Sequence, residues 1–219
     1  MRHDWESTTR RVLPALSPAI VQVARGLPSA TLHEAAGKTG ALPSAIKPVA
    51  SGMRLCGPAL TVHGPGGDNL WLHRALEVAR PGDVVVAHVG GAHEHGYWGE
   101  IMTGMALARG LGGLVIDGCV RDGELLRGMN FPVFARGLCI RGTGKDFGAP
   151  GWINHPVRIG EVTVCAGDLV VADDDGVFCA PADGLDELVR KAQAREADEA
   201  RILQRIRAGE STLDIYGLR

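Results

Sequence analysis

The sequence predicts an α/β fold closed by a long C-terminal helix, on three observations. Continuous β-branched runs such as Val84-Val85-Val86-Ala87-His88-Val89 read as strands buried on both faces. Such runs alternate with glycine-rich loops and amphipathic segments, the rhythm of strand, loop and helix. From Gly184 to Ala208 the composition shifts to Ala, Arg and Glu, with an apolar stripe of Leu185, Leu188, Val189, Ala192, Ile202, Leu203 and Ile206.

The elements run in order along the chain. Residues 1–30 read as an N-terminal helical arm with a turn at Gly26-Leu27-Pro28. Thr31 is placed to cap a short helix from Leu32 to Ala36, ended by Gly37. A strand from Arg54 to Val62 breaks at Gly64-Pro65-Gly66-Gly67, and Asp68 or Asn69 caps a helix running to Ala79. After the Val84 strand comes the loop Gly90–Gly99, a helix over Glu100–Arg109, and a third buried strand at Leu114-Val115-Ile116. The second half holds short strands at 133–135, 162–164, 169–171 and 177–179, with a hairpin turn at Asp173-Asp174-Asp175-Gly176. Residues 31–183 thus form an α/β core, and 184–219 a terminal helix and tail.

Composition narrows the function. The 219 residues carry 23 basic and 25 acidic side chains, a net charge of -2, without the basic footprint of a nucleic-acid binder. Aromatics, at 5%, are too sparse for a base-stacking platform, and no apolar run approaches the ~20 residues of a membrane helix. The five cysteines, Cys56, Cys119, Cys139, Cys165 and Cys179, form no Cys-x-x-Cys pair; most read as small core hydrophobes. Thr8-Thr9-Arg10-Arg11-Val12-Leu13 looks superficially like a twin-arginine signal. Pro14, Pro18 and Gln22 interrupt the apolar stretch such a signal needs next, so a cytoplasmic location is expected.

The chemistry concentrates where the Leu114 strand ends, at Asp117-Gly118-Cys119-Val120-Arg121-Asp122. Ligands of open α/β sheets bind at this end. Arg121 offers a bidentate cation for a carboxylate or enolate, and Asp122 a hard oxygen ligand for a cation. A helix-capping aspartate beside a solvated arginine would have the same spacing. Gly99 closes a glycine-rich loop, and the first amides of the next helix, near Ile101 and Met102, suit an anionic carboxylate. His93-Glu94-His95 lacks the spacing of a helical zinc motif and reads as exposed loop histidines. Gly64–Asn69 lacks the P-loop Gly-Lys-Ser/Thr. No Gly-x-Ser-x-Gly elbow is present, and Lys38, Lys47, Lys145 and Lys191 all lie outside apolar runs, against Schiff-base chemistry. Glu199 falls near the apolar stripe of the terminal helix, as a rim carboxylate or, if that helix docks on another subunit, as a group delivered into its site; Glu196, one turn earlier, is the fallback.

Gly112-Gly113-Leu114-Val115-Ile116-Asp117-Gly118-Cys119-Val120-Arg121-Asp122 resembles the central motif of the family of 4-hydroxy-4-methyl-2-oxoglutarate and 4-carboxy-4-hydroxy-2-oxoadipate aldolases, which also holds the regulator of ribonuclease activity A. The segments Pro65–Leu70, Pro132–Gly137, Asn154–Val157 and Arg207–Gly217 look similar too, so the resemblance runs from about Thr31 onward. In the family's aldolases an acidic residue is separated from Arg-Asp by twenty intervening positions. Here it is Glu100, where the family often has Asp and its regulators usually have glycine.

The resemblance implies a layered sheet fold similar to the phosphohistidine swivelling domain, in trimers or hexamers whose sites lie at subunit boundaries. It implies a Mg²⁺ ion, for which Mn²⁺ can substitute, held directly by Asp122 and through water by Glu100 and by Glu199 of a neighbouring chain. Arg121, Gly99, Ile101, Met102 and Lys145 would bind the 2-oxo acid. The expected activity is metal-dependent cleavage of a 4-hydroxy-2-oxo acid to pyruvate and a second 2-oxo acid, with oxaloacetate decarboxylation through the same enolate. The alternatives are a dedicated oxaloacetate decarboxylase and a protein that inhibits a ribonuclease by contact.

Overall fold

The structure is a computed structural model that describes residues 4–10 and 16–219. It is a mixed α/β fold around a nearly closed, barrel-like sheet, with the order β1 (Lys47–Pro48), β6 (Val133–Ala135), β4 (Gly113–Ile116), β3 (Val84–His88), β2 (Leu55–His63), β11 (Leu169–Asp173), β12 (Gly176–Ala180). The centre β2-β3-β4-β6 is parallel, and β8 (Trp152–Ile153) pairs with β2. The chain at 40–42 bonds onto β12 (Leu42 N–H to Val177 O, Cys179 N–H to Gly40 O) before running into β1, which nearly closes the sheet. Short pairs complete it: β5 (Cys119–Val120) with β7 (Gly137–Leu138), and β9 (Val157–Ile159) with β10 (Val162–Val164).

Strand alternation divides the core. Val84, Val86, Val115 and Phe134 point into the barrel with Ile46, Val157, Ile159 and Val170. Val85, Ala87, Leu114 and Ile116 point outward, under α3 (Leu70–Val78), α4 (Glu100–Ala108) and α5 (Gly123–Gly128). A third cluster lies outside β11 and β12. There α1 (Pro18–Arg25), α2 (Ser29–Ala35) and the first turns of α6 (Leu185–Arg207) cover Leu169, Val171 and Phe178. A short α7 (Thr212–Ile215) ends the chain, and no described helix is long and apolar enough to cross a membrane.

Several expectations need correction. Thr31 does not cap its helix, because the helix starts earlier, at Ser29 behind Pro28. Asp173, at the end of β11, accepts both the Ser29 N–H (2.8 Å) and the Ser29 hydroxyl (2.6 Å). Thr31, inside the helix, instead donates to Glu196 Oε1 at 2.6 Å. Of the cysteines only Cys56 and Cys179 are core residues; Cys119 and Cys139 are half-buried and Cys165 is exposed. Burial pushes the Cys56 thiol up to about 11, which suits an inert core role. The Asp174-Asp175 turn is the expected hairpin, with Asp173 opposite Gly176. Arg11–Leu13 of the twin-arginine stretch lie outside the described residues.

Candidate active site

At the carboxyl ends of the parallel strands lies a pocket of about 300 Å³. Its wall includes Gly99, Ile101, Met102, Arg121, Asp122 and Lys145, so six sequence-derived candidates come together. Asn69, His73, Tyr97, Trp98 and Thr143 complete the polar and aromatic lining.

Each is held from below. Trp98 is buried, donates its indole N–H to Thr103 Oγ1 (2.7 Å) and stacks on Phe131. Its carbonyl accepts the Arg121 N–H at 2.8 Å, fixing where the arginine leaves the backbone. Asp122 adopts a left-handed conformation, φ 59° and ψ 38°, just before α5. That bend turns its carboxylate toward α4, where Oδ2 accepts the Glu100 N–H at 3.0 Å and lies 3.8 Å from Arg121 Nε. Gly99 makes room for this arrangement, since a Cβ there would run into the Asp122 carboxylate. With Glu100 N–H taken, the Ile101 and Met102 amides remain without an acceptor among the described residues, at the positive end of α4.

The opposite wall depends on Asp68. Its Oδ1 accepts the Leu70 N–H (2.7 Å) at the start of α3, and its Oδ2 accepts the Asp146 N–H (2.5 Å). This clasp ties the loop bearing Thr143 and Lys145 to the helix bearing His73. Asn69 donates to Tyr97 O at 2.9 Å, but its Oδ1 is buried with no donor among the described residues. Burial pushes the His73 pKa down, the Lys145 ammonium adds to this, and the Asp68 carboxylate opposes both. His73 is therefore neutral at pH 7.

Other candidates lie elsewhere. Glu100 is at the head of α4 with its side chain exposed. Glu199 pairs with Arg195 of its own helix (2.8 Å) and does not line its own chain's pocket. Glu196, the fallback, accepts the Thr31 hydroxyl on Oε1 at 2.6 Å and is half-buried on its own chain. Asp117 is not free for a ligand: it is buried and held by Arg136 Nε at 2.6 Å. His93 is not an exposed loop residue but half-buried, donating from Nδ1 to Asp117 O (2.6 Å), and His95 is also half-buried. In Gly64–Asn69 the Gly67 N–H donates to Tyr97 Oη at 2.8 Å and the Asp68 N–H to Pro65 O at 3.4 Å.

The donor chemistry fits a hard divalent cation. Asp122 Oδ1 makes no hydrogen bond among the described residues, and it lies in a pocket lined with oxygen and nitrogen groups. No three His, Cys, Asp or Glu side chains converge among the described residues, so Asp122 would be the direct ligand, with water filling most of the shell, as Mg²⁺ prefers.

The family model described as "RraA-like: Aldolase/RraA" matches residues 23–179. A relative from Halalkalibacterium halodurans, named "Putative 4-hydroxy-4-methyl-2-oxoglutarate aldolase", is 36% identical over 175 residues, covering 80% of this chain and 82% of its own. An uncharacterised protein from Pseudomonas syringae has a similar structure, with TM-score 0.77 and 30% identity over 90% of this chain and 96% of its own. A Streptomyces coelicolor structure, described as an unusual member of the RNase ES inhibitor RraA protein family, matches with TM-score 0.75 and 27% identity. It covers 86% of this chain and 98% of its own.

Proposed function

Since this chain belongs to the Aldolase/RraA family, we propose that it is a divalent-metal-dependent pyruvate aldolase acting on a 4-hydroxy-2-oxo acid such as 4-hydroxy-4-methyl-2-oxoglutarate or 4-carboxy-4-hydroxy-2-oxoadipate. One observation carries the reading: the Asp122 carboxylate, the Arg121 guanidinium and the unpaired amides of Ile101 and Met102 border one pocket.

Asp122 would hold Mg²⁺ or Mn²⁺ directly, with Glu100 reaching it through water. The bound cation supplies Lewis acidity toward the 2-oxo acid and its enolate. The Ile101 and Met102 amides hold the substrate carboxylate at the head of α4. Arg121 donates to the C2 oxygen, and this contact strengthens as negative charge develops there during C3–C4 cleavage. Neutral His73 would accept from the 4-hydroxyl, and Lys145 would meet a substrate anion. Glu199 enters from a second copy in a trimer or hexamer and helps hold water for the proton leaving the 4-hydroxyl. Oxaloacetate decarboxylation needs the same enolate and accompanies the main activity. The enzyme works in the cytoplasm.

The test is steady-state pyruvate release with Mg²⁺. EDTA should abolish turnover, Mg²⁺ or Mn²⁺ should restore it, and Asp122→Ala should stay folded but inactive. Full turnover in EDTA, or a pyruvyl adduct trapped on lysine by borohydride, overturns the proposal. The second reading, inhibition of a ribonuclease by contact, draws on the description of the Streptomyces neighbour. Absence of pyruvate release together with ribonuclease binding would favour it.

A further inference from the structure

Beside the catalytic pocket lies a second chamber of about 390 Å³ between α3 and α4, sharing His73, Ile101 and Met102 with it. Its walls are otherwise mostly apolar, from Leu76 and Met105, yet Arg74 also lines it.

Arg74 is unusual in this molecule. It is only 8% exposed, and its Nη1 is buried with no hydrogen-bond acceptor among the described residues. Among the described residues no carboxylate pairs with it. Asp68, the nearest opposing charge, spends both oxygens on the Leu70 and Asp146 amides. Glu77, the acid in the chamber wall, is turned to Arg109 at 2.9 Å. What Arg74 does have is two aromatic faces: its guanidinium carbon lies 4.6 Å from the Trp71 ring centre and 6.0 Å from that of Trp5. Stacking fixes the plane of the guanidinium while leaving its N–H edges for an in-plane acceptor. A buried cation without an acceptor is costly, and a carboxylate arriving at the remaining Nε–Nη2 edge from the chamber offsets part of that cost.

We propose that this chamber is an anion subsite, in which Arg74 receives the distal carboxylate of a dicarboxylic 2-oxo acid whose 2-oxo end sits at Arg121 and Asp122. The inference rests on the aldolase reading for the 2-oxo end and adds the recognition of the far end. Arg74 is then a specificity-determining residue, and the mostly apolar walls leave few other polar groups to compete for the ligand's carboxylate. Met102 and Met105, unbranched and adaptable, let the chamber reshape around the ligand.

Trp71 and Trp5 make the subsite its own reporter. In Mg²⁺ buffer, the intact protein is titrated with 2-oxoglutarate and with 2-oxovalerate, which carries a methyl where 2-oxoglutarate has its second carboxylate. Binding is read by intrinsic fluorescence and by calorimetry. The expected result is a preference for 2-oxoglutarate of about tenfold or more, the scale of one hydrogen bond to a charged group. Arg74→Gln and Arg74→Met should erase that preference while 2-oxovalerate still binds, and Arg74→Lys should keep part of it. Retained 2-oxovalerate binding shows that each variant is folded. Equal affinity for the two ligands in the parent protein, or a preference surviving in both Arg74→Gln and Arg74→Met, overturns the subsite alone. If the parent protein binds neither ligand, the aldolase reading falls and the subsite with it.

Discussion

Asp122 takes a left-handed backbone that costs a non-glycine residue roughly 1–2 kcal/mol, offset here by the hydrogen bond its carboxylate accepts from the next helix. The two glycines of α4 and its cap separate the roles of space and propensity. Gly99→Ala would push a methyl into the Asp122 carboxylate and against Arg121 Cγ. It should cost about 1–3 kcal/mol of stability by overpacking and nearly all turnover. Gly104, inside the same helix, has open space where a methyl would stand, so Gly104→Ala should stabilise by about 0.5–1 kcal/mol with activity kept. Thermal melts and pyruvate release on both variants check the pair; an active Gly99→Ala would mean that Asp122 needs no such clearance. At this scale the sequence already pointed to Arg121 and Asp122, because a buried strand delivers them. It pointed equally to Asp117, which Arg136 consumes from nineteen residues away. Asn69 and His73 were read only as parts of a capped helix, since nothing local says that α3 faces the Arg121 loop.

Most elements of three or more residues were legible, down to the short strands β6 and β10, and the two-residue strands were not. Strands β3 and β4 and helices α4 and α6 fall within one or two residues of their expected limits, because each is a continuous apolar or amphipathic run bounded by glycine or proline turns. The two-residue strands β5, β7 and β8 carry no period, and only their partners define them. Helix α6 shows the limit of a stripe read in isolation. Leu185, Val189 and Ala192 are buried on their own chain, whereas Leu203 and Ile206 stay exposed. If the distal half docks on a second copy and carries Glu199 into its site, Glu199→Ala and Asp122→Ala proteins should each be inactive. Mixed after proven subunit exchange, they should regain part of the parental turnover. Exchanged mixtures that stay dead, or a fully active Glu199→Ala, would sink that assignment.

Across the whole molecule, burial sets a pH response. His63, His73, His88 and His155 all have pKa values lowered by burial, so the unfolded chain takes up protons more readily than the folded one as pH falls through about 6.5. The stability these neutral histidines contribute is complete above that value and is lost progressively below it. Asp168, raised by burial, pulls the other way, one group against four. The melting temperature should therefore drop between about pH 7.5 and 5.5; calorimetry showing no drop would contradict the assignment. The order of the sheet was not readable from the chain, because β1 joins β6 across more than eighty residues and β12 meets the 40–42 segment across more than a hundred. That near-closure also governs how copies of the protein behave when crowded. The β1 edge is two residues long, with a lysine and with a proline that has no N–H to offer, and the β12 edge is partly occupied by the chain's own 40–42 segment. Little unpaired backbone is left to template strand addition from another copy, so concentrated solutions should resist fibrillar aggregation for as long as the seam at 40–48 stays shut.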